Sequence, residues 1–256
     1  MGRIIIFAYG LFSYAVFFAT FLYAIGFIGN IGTPTALDAT PSLSFGWALL
    51  INLGLLTLFA VQHSVMARPA FKRMWTKLIP EPAERSTYVL FSSLALILMF
   101  WAWAPMGGAI WAVESTVAQA LLYAGYAFGW GLVFVSTFLI DHFDLFGLRQ
   151  VWLNLRGVPY TPLPFKTPSL YRWVRHPLYV GWLFAFWCTP TMTVAHLIFA
   201  VMTTVYILGA IQLEERDLID SLKGYAAYRK RVPMLIPRFG RRRAEPKAQV
   251  IASAQS

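Results

Sequence analysis

The residues best suited to bind a charged ligand lie at the two ends of the last hydrophobic block. Arg175 and His176 directly precede Pro177, and proline favours the first turn of a helix. The free N–H groups and partial positive charge of a helix N-terminus, beside an arginine, suit an anion such as a carboxylate. Glu214 and Glu215 lie at the other end of the block and supply negative charge. A site with both signs matches a ligand that carries a carboxylate, an ammonium group and ribose hydroxyls.

Aromatic side chains accompany both charged groups. Tyr179 follows the first group, and Tyr225 and Tyr228 follow the second. Their rings could pack on a flat base. We therefore expect Arg175 and the helix N-terminus to bind the carboxylate, a glutamate to bind the ammonium group or the ribose, and an aromatic ring to pack on the base.

The apolar block at residues 178–211 decides whether these groups meet. About 20 residues cross the hydrocarbon core of a bilayer, so the block is too long for one straight span. Thr189-Pro190-Thr191 interrupts it, and proline lacks a backbone donor and favours a break. We predict a short helix, a turn and a longer returning helix, which brings the two charged groups together.

Four further apolar runs precede this block, at residues 4–28, 43–65, 88–103 with its flanks, and 117–140. Each has about the length of a membrane span. The sequence therefore predicts an all-α, polytopic membrane protein with about five hydrophobic spans, the last a broken helical hairpin.

The basic residues alternate with these runs. Arg3 precedes the first run, five basic residues separate the second from the third, five separate the fourth from the hairpin, and the remaining ten follow Ile211. In the other connections, the only charged residues are Asp38 and Glu114. The positive-inside rule then predicts that both termini and the candidate site face the cytoplasm, with the Pro190 turn outside or within the membrane. We expect one domain at residues 1–240 and a basic, disordered tail at 241–256.

Composition argues against a soluble protein. Hydrophobic residues make up 58% of the chain and charged residues only 12%, whereas soluble domains carry roughly a quarter charged residues. The net charge of +10 comes from basic residues that set the membrane topology beside anionic lipid. We therefore expect membrane lipid as a partner and no nucleic acid. No obligate protein partner is evident. A single cysteine, Cys188, excludes a Cys-x-x-Cys motif, and we expect no metal site. The absence of Gly-x-Gly-x-x-Gly and P-loop motifs argues against a Rossmann-type nucleotide site.

A resemblance to a known superfamily rests on these C-terminal residues. The string 175–181, then Glu214-Glu215, and then Tyr225, Tyr228 and Pro233 resemble the S-adenosylmethionine site of isoprenylcysteine carboxyl methyltransferases and bacterial phospholipid methyltransferases. The resemblance implies that S-adenosylmethionine is the cofactor, bound mainly within residues 171–237. The cofactor-binding residues it implies are Arg175, His176, Pro177, Tyr179, Gly181, Glu214, Glu215, Tyr225 and Tyr228.

Three upstream strings narrow the resemblance, at residues 62–69, 84–88 and 141–150. Together they look like the membrane-bound methanethiol S-methyltransferases, which make dimethyl sulfide. This resemblance covers most of the chain. It implies a multi-pass protein of a bacterial inner membrane with a small thiol as its substrate.

Methyl transfer from a sulfonium to sulfur is an in-line displacement, and it needs the acceptor as a thiolate. A free thiol has a pKa of about 8.5 or above, so a nearby cation or general base would help. Glu84 and Arg149 lie near the predicted cytoplasmic ends of the spans. The residues that we expect to act on the thiol are His63, Arg68, Arg85, Asp141 and His142. The pattern alone favours none of these over the others, although Asp141 beside His142 suggests a carboxylate that orients a base.

Structural roles compete with each of these assignments. Arg175 could be a membrane anchor, the glutamate pair could be neutralised by Arg216, and His63 could be a satisfied core histidine. His196 lies near the Pro190 turn, far from the charged groups, and we expect it to be structural.

Other functions also compete. The same cofactor could serve a prenylcysteine or phospholipid acceptor. A nicotinamide-dependent membrane reductase could use the basic run 229–231, and a haem-binding or transport subunit could use His63 and His142.

Overall fold

The computed structural model describes residues 2–164, 166–222 and 224–238. The predicted tail at 241–256 lies outside these residues. The α-helices of the described residues are α1 (Arg3–Gly29), α2 (Phe45–Ala67), α3 (Pro69–Trp75), α4 (Glu84–Ala102), α5 (Thr116–Ile140), α6 (His142–Leu145), α7 (Leu148–Arg156), α8 (Pro177–Trp187), α9 (Val194–Ser221) and α10 (Tyr225–Arg231). Short 3-10 helices cover Glu81–Ala83 and Ser169–Arg172.

Five helices are long and apolar enough to cross a membrane: α1, α2, α4 with its preceding 3-10 turn, α5 and α9. They coincide with the predicted spans, so the all-α polytopic fold is confirmed. The broken hairpin is confirmed as well, because α8 ends at Trp187 and α9 returns from Val194. The helix α9 continues to Ser221, so Glu214 and Glu215 lie on its last turns. The orientation of the termini stays a prediction.

A two-stranded antiparallel sheet joins the hairpin turn to the α4–α5 connection. Strand β1 (Ala109–Ala112) pairs with β2 (Thr191–Thr193), with Ala112 opposite Thr191. These strands were not expected from the sequence. They are too short to show a period-two pattern, and each is defined only by a partner far away in the chain.

The helix α8 packs closely on α5 through two glycines. A Cβ atom at Gly181 would lie 2.7 Å from the carbonyl oxygen of Gly129, and a Cβ atom at Gly129 would lie 2.7 Å from that of Gly181. Small residues of this kind let helix backbones approach in membrane proteins. This contact holds the start of α8 in place beside the charged residues.

The two ends of the bundle differ in composition. We call the end that carries Arg68, Arg85 and Arg175 the basic end. The opposite end, which we call the far end, carries Asp38 and His196 beside the small sheet. The main apolar core includes Phe27, Leu37, Phe100, Trp103 and Phe199, and it lies toward the far end.

Candidate active site

A cavity of about 1320 Å³ opens among α1, α2, α4, α5, α8 and α9 and holds most of the predicted site residues. Among the described residues, the predicted ones that line it are His63, Arg68, Arg85, Asp141, His142, Arg175, His176, Tyr179, Glu214, Tyr225 and Tyr228. The hairpin therefore brings its two charged ends together, as predicted.

Glu215 is the centre of a buried ionic cluster and is only 1% exposed. Its Oε1 accepts hydrogen bonds from Arg175 Nε at 2.6 Å and from His176 Nε2 at 3.0 Å. Arg229 Nε lies 2.7 Å from its Oε2. Because these partners come from the start of α8 and from α10, the Glu215 cluster joins three elements. Glu215 itself lies behind the cavity wall.

Arg175 is largely occupied within the protein. In addition to Glu215, its Nη1 donates to the carbonyl oxygen of Arg229 at 3.0 Å and to that of Val232 at 2.5 Å. Only its Nη2 has no hydrogen bond within the described residues. The expected contact between Arg175 and a ligand carboxylate stays a prediction, and in this arrangement Arg175 also positions Glu215.

Glu214 is the acidic residue of the pair that faces the cavity. Its side chain is 42% exposed, and its Oε2 accepts a hydrogen bond from the Tyr179 hydroxyl at 2.9 Å. A carboxylate that faces open space beside a phenol can bind an ammonium group or ribose hydroxyls. The two adjacent glutamates therefore divide into one for structure and one available to a ligand.

The chain after α10 folds back along the start of α8. The N–H groups of Arg175 and His176 donate to the carbonyl oxygens of Pro233 and Met234 at 2.9 and 3.2 Å. These bonds occupy two donors that immediately precede the first turn of α8, whose own N–H groups were expected to bind an anion. The partial charge of the helix N-terminus remains, but these two donors are occupied.

Tyrosines of α10 and of the 3-10 helix Ser169–Arg172 form one wall of the cavity. The Tyr228 hydroxyl donates to the carbonyl oxygen of Tyr171 at 2.6 Å. Burial, followed by the charge of Glu214, raises the pKa of Tyr171, and burial raises that of Tyr228 to about 12. Both phenols are therefore neutral at physiological pH, which suits aromatic packing on a base.

Pro177 and Gly181 do not line this cavity, although the resemblance placed both in the cofactor site. Pro177 contributes to a separate apolar pocket with Trp173 and Leu235, and Gly181 faces Gly129 of α5. Their direct contact with the cofactor stays a prediction. Pro177 begins the helix, and Gly181 allows it to approach α5.

His63 lies on the cavity wall between α2 and α4. Its Nε2 is 2.9 Å from the Tyr88 hydroxyl and its Nδ1 is 3.1 Å from Ser92 Oγ. Its ring stacks on Phe59, with ring centres 5.1 Å apart. His63 is thus held in one orientation with its polar edge toward other polar groups of the cavity.

Arg68 and Arg85 differ in their availability. Arg68 Nη1 forms an ion pair with Asp217 at 2.8 Å, which connects α2 to α9. Arg85 donates through Nε to the carbonyl oxygen of Leu145 at 2.6 Å, and its guanidinium lies 4.9 Å from the centre of the Tyr88 ring. Since no carboxylate within the described residues pairs with Arg85, its charge remains available to an anion in the cavity.

Lys72 of α3 lines the cavity, whereas the sequence indicated only its contribution to the membrane topology. It is half-buried, and within the described residues its side-chain ammonium group has no hydrogen-bond or ion-pair partner. Burial and then the positive charge of Arg85 lower its pKa below the ordinary lysine value. Nothing in the spacing of α3 indicated this, because the direction of Lys72 depends on how α3 packs against α4.

Asp141 and His142 are placed differently from the prediction. Asp141 has φ of 133°, a strained value for a residue other than glycine, and its Oδ1 accepts a hydrogen bond from the N–H of Asp144 at 3.0 Å. It therefore caps α6 and does not hydrogen-bond to His142. The residues that orient His142 are Tyr14, 2.8 Å from Nε2, and Thr137, 2.8 Å from Nδ1.

The hydrogen bonds also indicate the tautomer of His142. The Thr137 hydroxyl donates to the carbonyl oxygen of Phe134 at 2.7 Å, so it accepts from His142 Nδ1, and Nε2 accepts from Tyr14. Burial lowers the pKa of His142, and the charge of Asp141 only partly opposes this. Because His142 is neutral and both of its nitrogens are hydrogen-bonded, it lines the site and is not available as a general base.

Gly147 brings the loop after α6 against the start of α4. Its φ is 89°, and a Cβ atom there would lie 2.7 Å from Ser86 Oγ. This close approach holds Leu145 where its carbonyl oxygen meets Arg85. Tyr206 of α9 also lines the cavity and lies 3.1 Å from Ser64 Oγ, another contact that spacing alone did not indicate.

Known proteins resemble this chain over nearly its full length. It is 58% identical over 244 residues to the methanethiol S-methyltransferase of Crocosphaera subtropica, covering 94% of this chain and 95% of that protein. It is 50% identical over 238 residues to the methanethiol S-methyltransferase of Mycobacterium tuberculosis, covering 93% and 98%. A more distant relative is Nurim of Mus musculus, at 33% identity over 207 residues, covering 76% and 78%.

No family model matches the chain, and no solved structure matches it. The family assignment therefore rests on relatives that match this chain over most of its length. Because these share half or more of their residues with it over most of both lengths, the chain belongs to the methanethiol S-methyltransferase family.

Proposed function

We propose that this protein transfers a methyl group from S-adenosylmethionine to the sulfur of methanethiol and releases dimethyl sulfide. The observation that carries the proposal is that Glu214, Tyr179 and Arg85, from three helices, face one cavity that continues into the apolar core. Relatives at 50% and 58% identity are methanethiol S-methyltransferases, which supports the same acceptor.

The cavity suits the proposed methyl donor in size and charge. Its volume of about 1320 Å³ exceeds the roughly 300–1,000 Å³ typical of pockets for drug-sized ligands. Glu214 would bind the ammonium group or the ribose, and Arg175 Nη2 would bind the carboxylate. Tyr225 and Tyr228 would pack on the base. When bound, S-adenosylmethionine supplies an electrophilic methyl group on a sulfonium.

The acceptor needs help to ionise, and the free cations of the cavity provide it. Arg85 and Lys72 create a positive field near His63 in a partly buried setting, where charges interact more strongly than in water. This field lowers the pKa of a bound thiol, whose proton leaves to solvent through the open basic end. The thiolate sulfur forms a bond to the methyl carbon as the carbon–sulfur bond of the sulfonium breaks, and the electron pair stays on the donor sulfur.

We also propose that the basic end faces the cytoplasm, in a bacterial inner membrane. The alternation of basic and nearly uncharged connections supports this orientation. Labelling in intact cells of a cysteine introduced at Lys77 or at Glu114, in a chain whose Cys188 is replaced by serine, tests it. The residue at position 114 should react with an impermeant reagent, and the one at position 77 should react only after lysis.

The proposed activity is tested on the protein purified in detergent. S-adenosylmethionine should bind by calorimetry, and addition of methanethiol should give dimethyl sulfide in the headspace by gas chromatography. Arg85→Ala should lower kcat/KM roughly 100-fold, as removal of a charge-stabilising group in an active site does. The matched control is Arg73→Ala, at an exposed residue outside the cavity, which should leave the rate unchanged.

Parallel assays separate the competing functions. A prenylcysteine and phosphatidylethanolamine are offered as acceptors with the same donor, and NADPH is offered as a ligand in the donor's absence. Turnover of either acceptor without methanethiol turnover would replace the proposed substrate. Binding of NADPH without binding of S-adenosylmethionine would replace the proposed chemistry.

A further inference from the structure

The cavity extends well past the polar groups that would carry out methyl transfer. Beyond the level of His63 and Tyr88 it continues toward the far end as what we call the inner arm. The residues that define the inner arm are Ala24, Phe59, Leu96, Met99, Phe199 and Thr203. Between Tyr88 and Met99, α4 rises roughly 16 Å at 1.5 Å per residue. The inner arm is thus comparable in length to half the bilayer core.

The wall of the inner arm is apolar even where its residues carry hydroxyl groups. Thr20, Ser93 and Thr203 each donate to the carbonyl oxygen four residues earlier in their own helix, at 2.7, 2.8 and 2.6 Å. Their methyl or methylene groups therefore remain to line the space. A row of waters or an ion would find few partners there, whereas a hydrocarbon group would be well accommodated.

Packed aromatic residues cover the inner arm at the far end. Trp103 meets Phe199 edge to face, with ring centres 5.8 Å apart, and its indole N–H donates to the carbonyl oxygen of Leu37. Trp103 and Leu37 are 7% and 0% exposed. In the described part of the chain, the inner arm therefore resembles a closed pocket more than a passage to the far side.

Methanethiol is too small to account for this space. Its two heavy atoms take up about twice the 30 Å³ share of one water molecule, or roughly 60 Å³. A drug-sized donor occupies at most about 1,000 Å³ of pocket, and the cavity measures about 1320 Å³. The cavity is therefore larger than donor and methanethiol together, and the inner arm is an apolar part of it.

We infer that the inner arm binds the hydrocarbon substituent of larger thiols, so that the substrates include linear alkyl thiols such as butanethiol and hexanethiol. The inference rests on the proposed function and names a wider acceptor class for the same site. The alkyl thiolate sulfur lies at the level of His63 and Arg85, and its chain points toward Met99. The new sulfur–carbon bond forms as the methyl–sulfonium bond breaks, with the electron pair left on the donor and the thiol proton released to solvent.

The test compares methanethiol, butanethiol and hexanethiol on one purified preparation, with each thioether measured by gas chromatography and mass spectrometry. Burial of each added methylene should lower KM by up to roughly fourfold, so hexanethiol should have a KM at least tenfold below that of methanethiol. Ala24→Phe places a ring in the inner arm and should reduce this ratio of KM values at least tenfold.

Two further variants make the result specific. Thr203→Leu adds smaller bulk on α9 and should reduce the same ratio by less, which keeps the test valid if Ala24→Phe does not fold. Leu22→Phe adds a ring on α1, the helix of Ala24, at a side chain that is 51% exposed and outside the cavity. It should change neither the KM for methanethiol nor the KM for hexanethiol.

The outcomes separate the two proposals. If methanethiol is not methylated, the proposed function fails. If methanethiol is methylated but hexanethiol is not, or if its KM advantage survives both Ala24→Phe and Thr203→Leu, the inner arm does not bind the substituent and this inference is overturned.

Discussion

A buried histidine faces a carboxylate near each end of α9, and the two pairs differ in their surroundings. His176 meets Glu215 at the basic end, and His196 meets Asp38 at the far end, with nitrogen–oxygen distances of 3.0 and 2.8 Å. His196 and Glu215 are separated by roughly 28 Å along the helix. Both histidines are less than a tenth exposed.

The far-end pair is complete in itself. Asp38 accepts hydrogen bonds from Thr193, from Asn30 Nδ2 and from His196, while His196 Nε2 donates to the carbonyl oxygen of Phe186. The residues that line the large cavity do not include it. At the basic end, Glu215 is also enclosed, but its neighbour Glu214 and the ring of His176 face the cavity. The comparison shows that a histidine and a carboxylate form a site only where packing leaves space beside them.

The largest effect is expected for Glu215→Ala. The change leaves Arg175 and His176 buried without their carboxylate, and breaking a buried ion pair in this way costs about 3–5 kcal/mol. The free energy of unfolding in detergent, measured by denaturant titration, should fall by this amount, and S-adenosylmethionine binding should be lost because α8 and α10 separate. An unchanged free energy would contradict the structural role of the cluster.

A smaller effect is expected for Asp38→Asn, which sharpens the contrast between the two ends. Loss of the charge weakens the hydrogen bonds from His196 and Thr193, at a cost of about 2 kcal/mol. The KM for the donor should not change, since Asp38 is distant from the polar groups at the basic end that would bind the donor. A weaker donor affinity in the folded fraction would break the distinction between the ends.

The difference in unfolding free energy between the wild type and Asp38→Asn should depend on pH. Burial alone would raise the pKa of Asp38, but the hydrogen bond and charge of His196, with bonds from Thr193 and Asn30, hold it below its usual value. A lowered pKa contributes stability above the unfolded value of about 3.9 and loses it as the pH falls toward the folded value. The stability difference between the wild type and Asp38→Asn should therefore shrink as the pH falls below about 4.

The smallest effect on folding is expected for Glu214→Gln. Its side chain is 42% exposed and, within the part of the chain that the structure describes, pairs only with Tyr179 and, at 4.0 Å, with His176, so the unfolding free energy should change little. The affinity for S-adenosylmethionine should fall about tenfold, which corresponds to about 1.4 kcal/mol. Asp220→Asn, at an exposed residue of the same helix outside the cavity, is the matched control. Equal affinities for S-adenosylmethionine in the two variants would contradict a role of Glu214 in binding the donor.

Much of the architecture could be predicted from the sequence because membrane spans depend on local composition. A run of about 20 apolar residues must satisfy its own backbone hydrogen bonds in lipid, which requires a helix, and Pro190 marks the break in the last block. From this, the meeting of the charged groups at the two ends of the hairpin followed directly. The motifs also predicted the family, which the full-length relatives confirm.

The role of each polar residue was decided by rotation and packing. Adjacent residues on a helix point in different directions, so Glu215 is enclosed by Arg175 and Arg229 while Glu214 faces the cavity. Asp141 was expected to orient His142, but its strained backbone turns it to cap α6.

Composition and residue order thus determined the spans, the broken hairpin and the proximity of the charged groups, because these follow from the hydrophobic pattern along the chain. Only the tertiary structure decided that Lys72 faces the cavity, that Pro177 and Gly181 do not, and that an apolar arm extends beyond His63. These features depend on the angles and distances between helices. Such angles arise from side-chain packing between segments far apart in the sequence, which the local pattern does not encode.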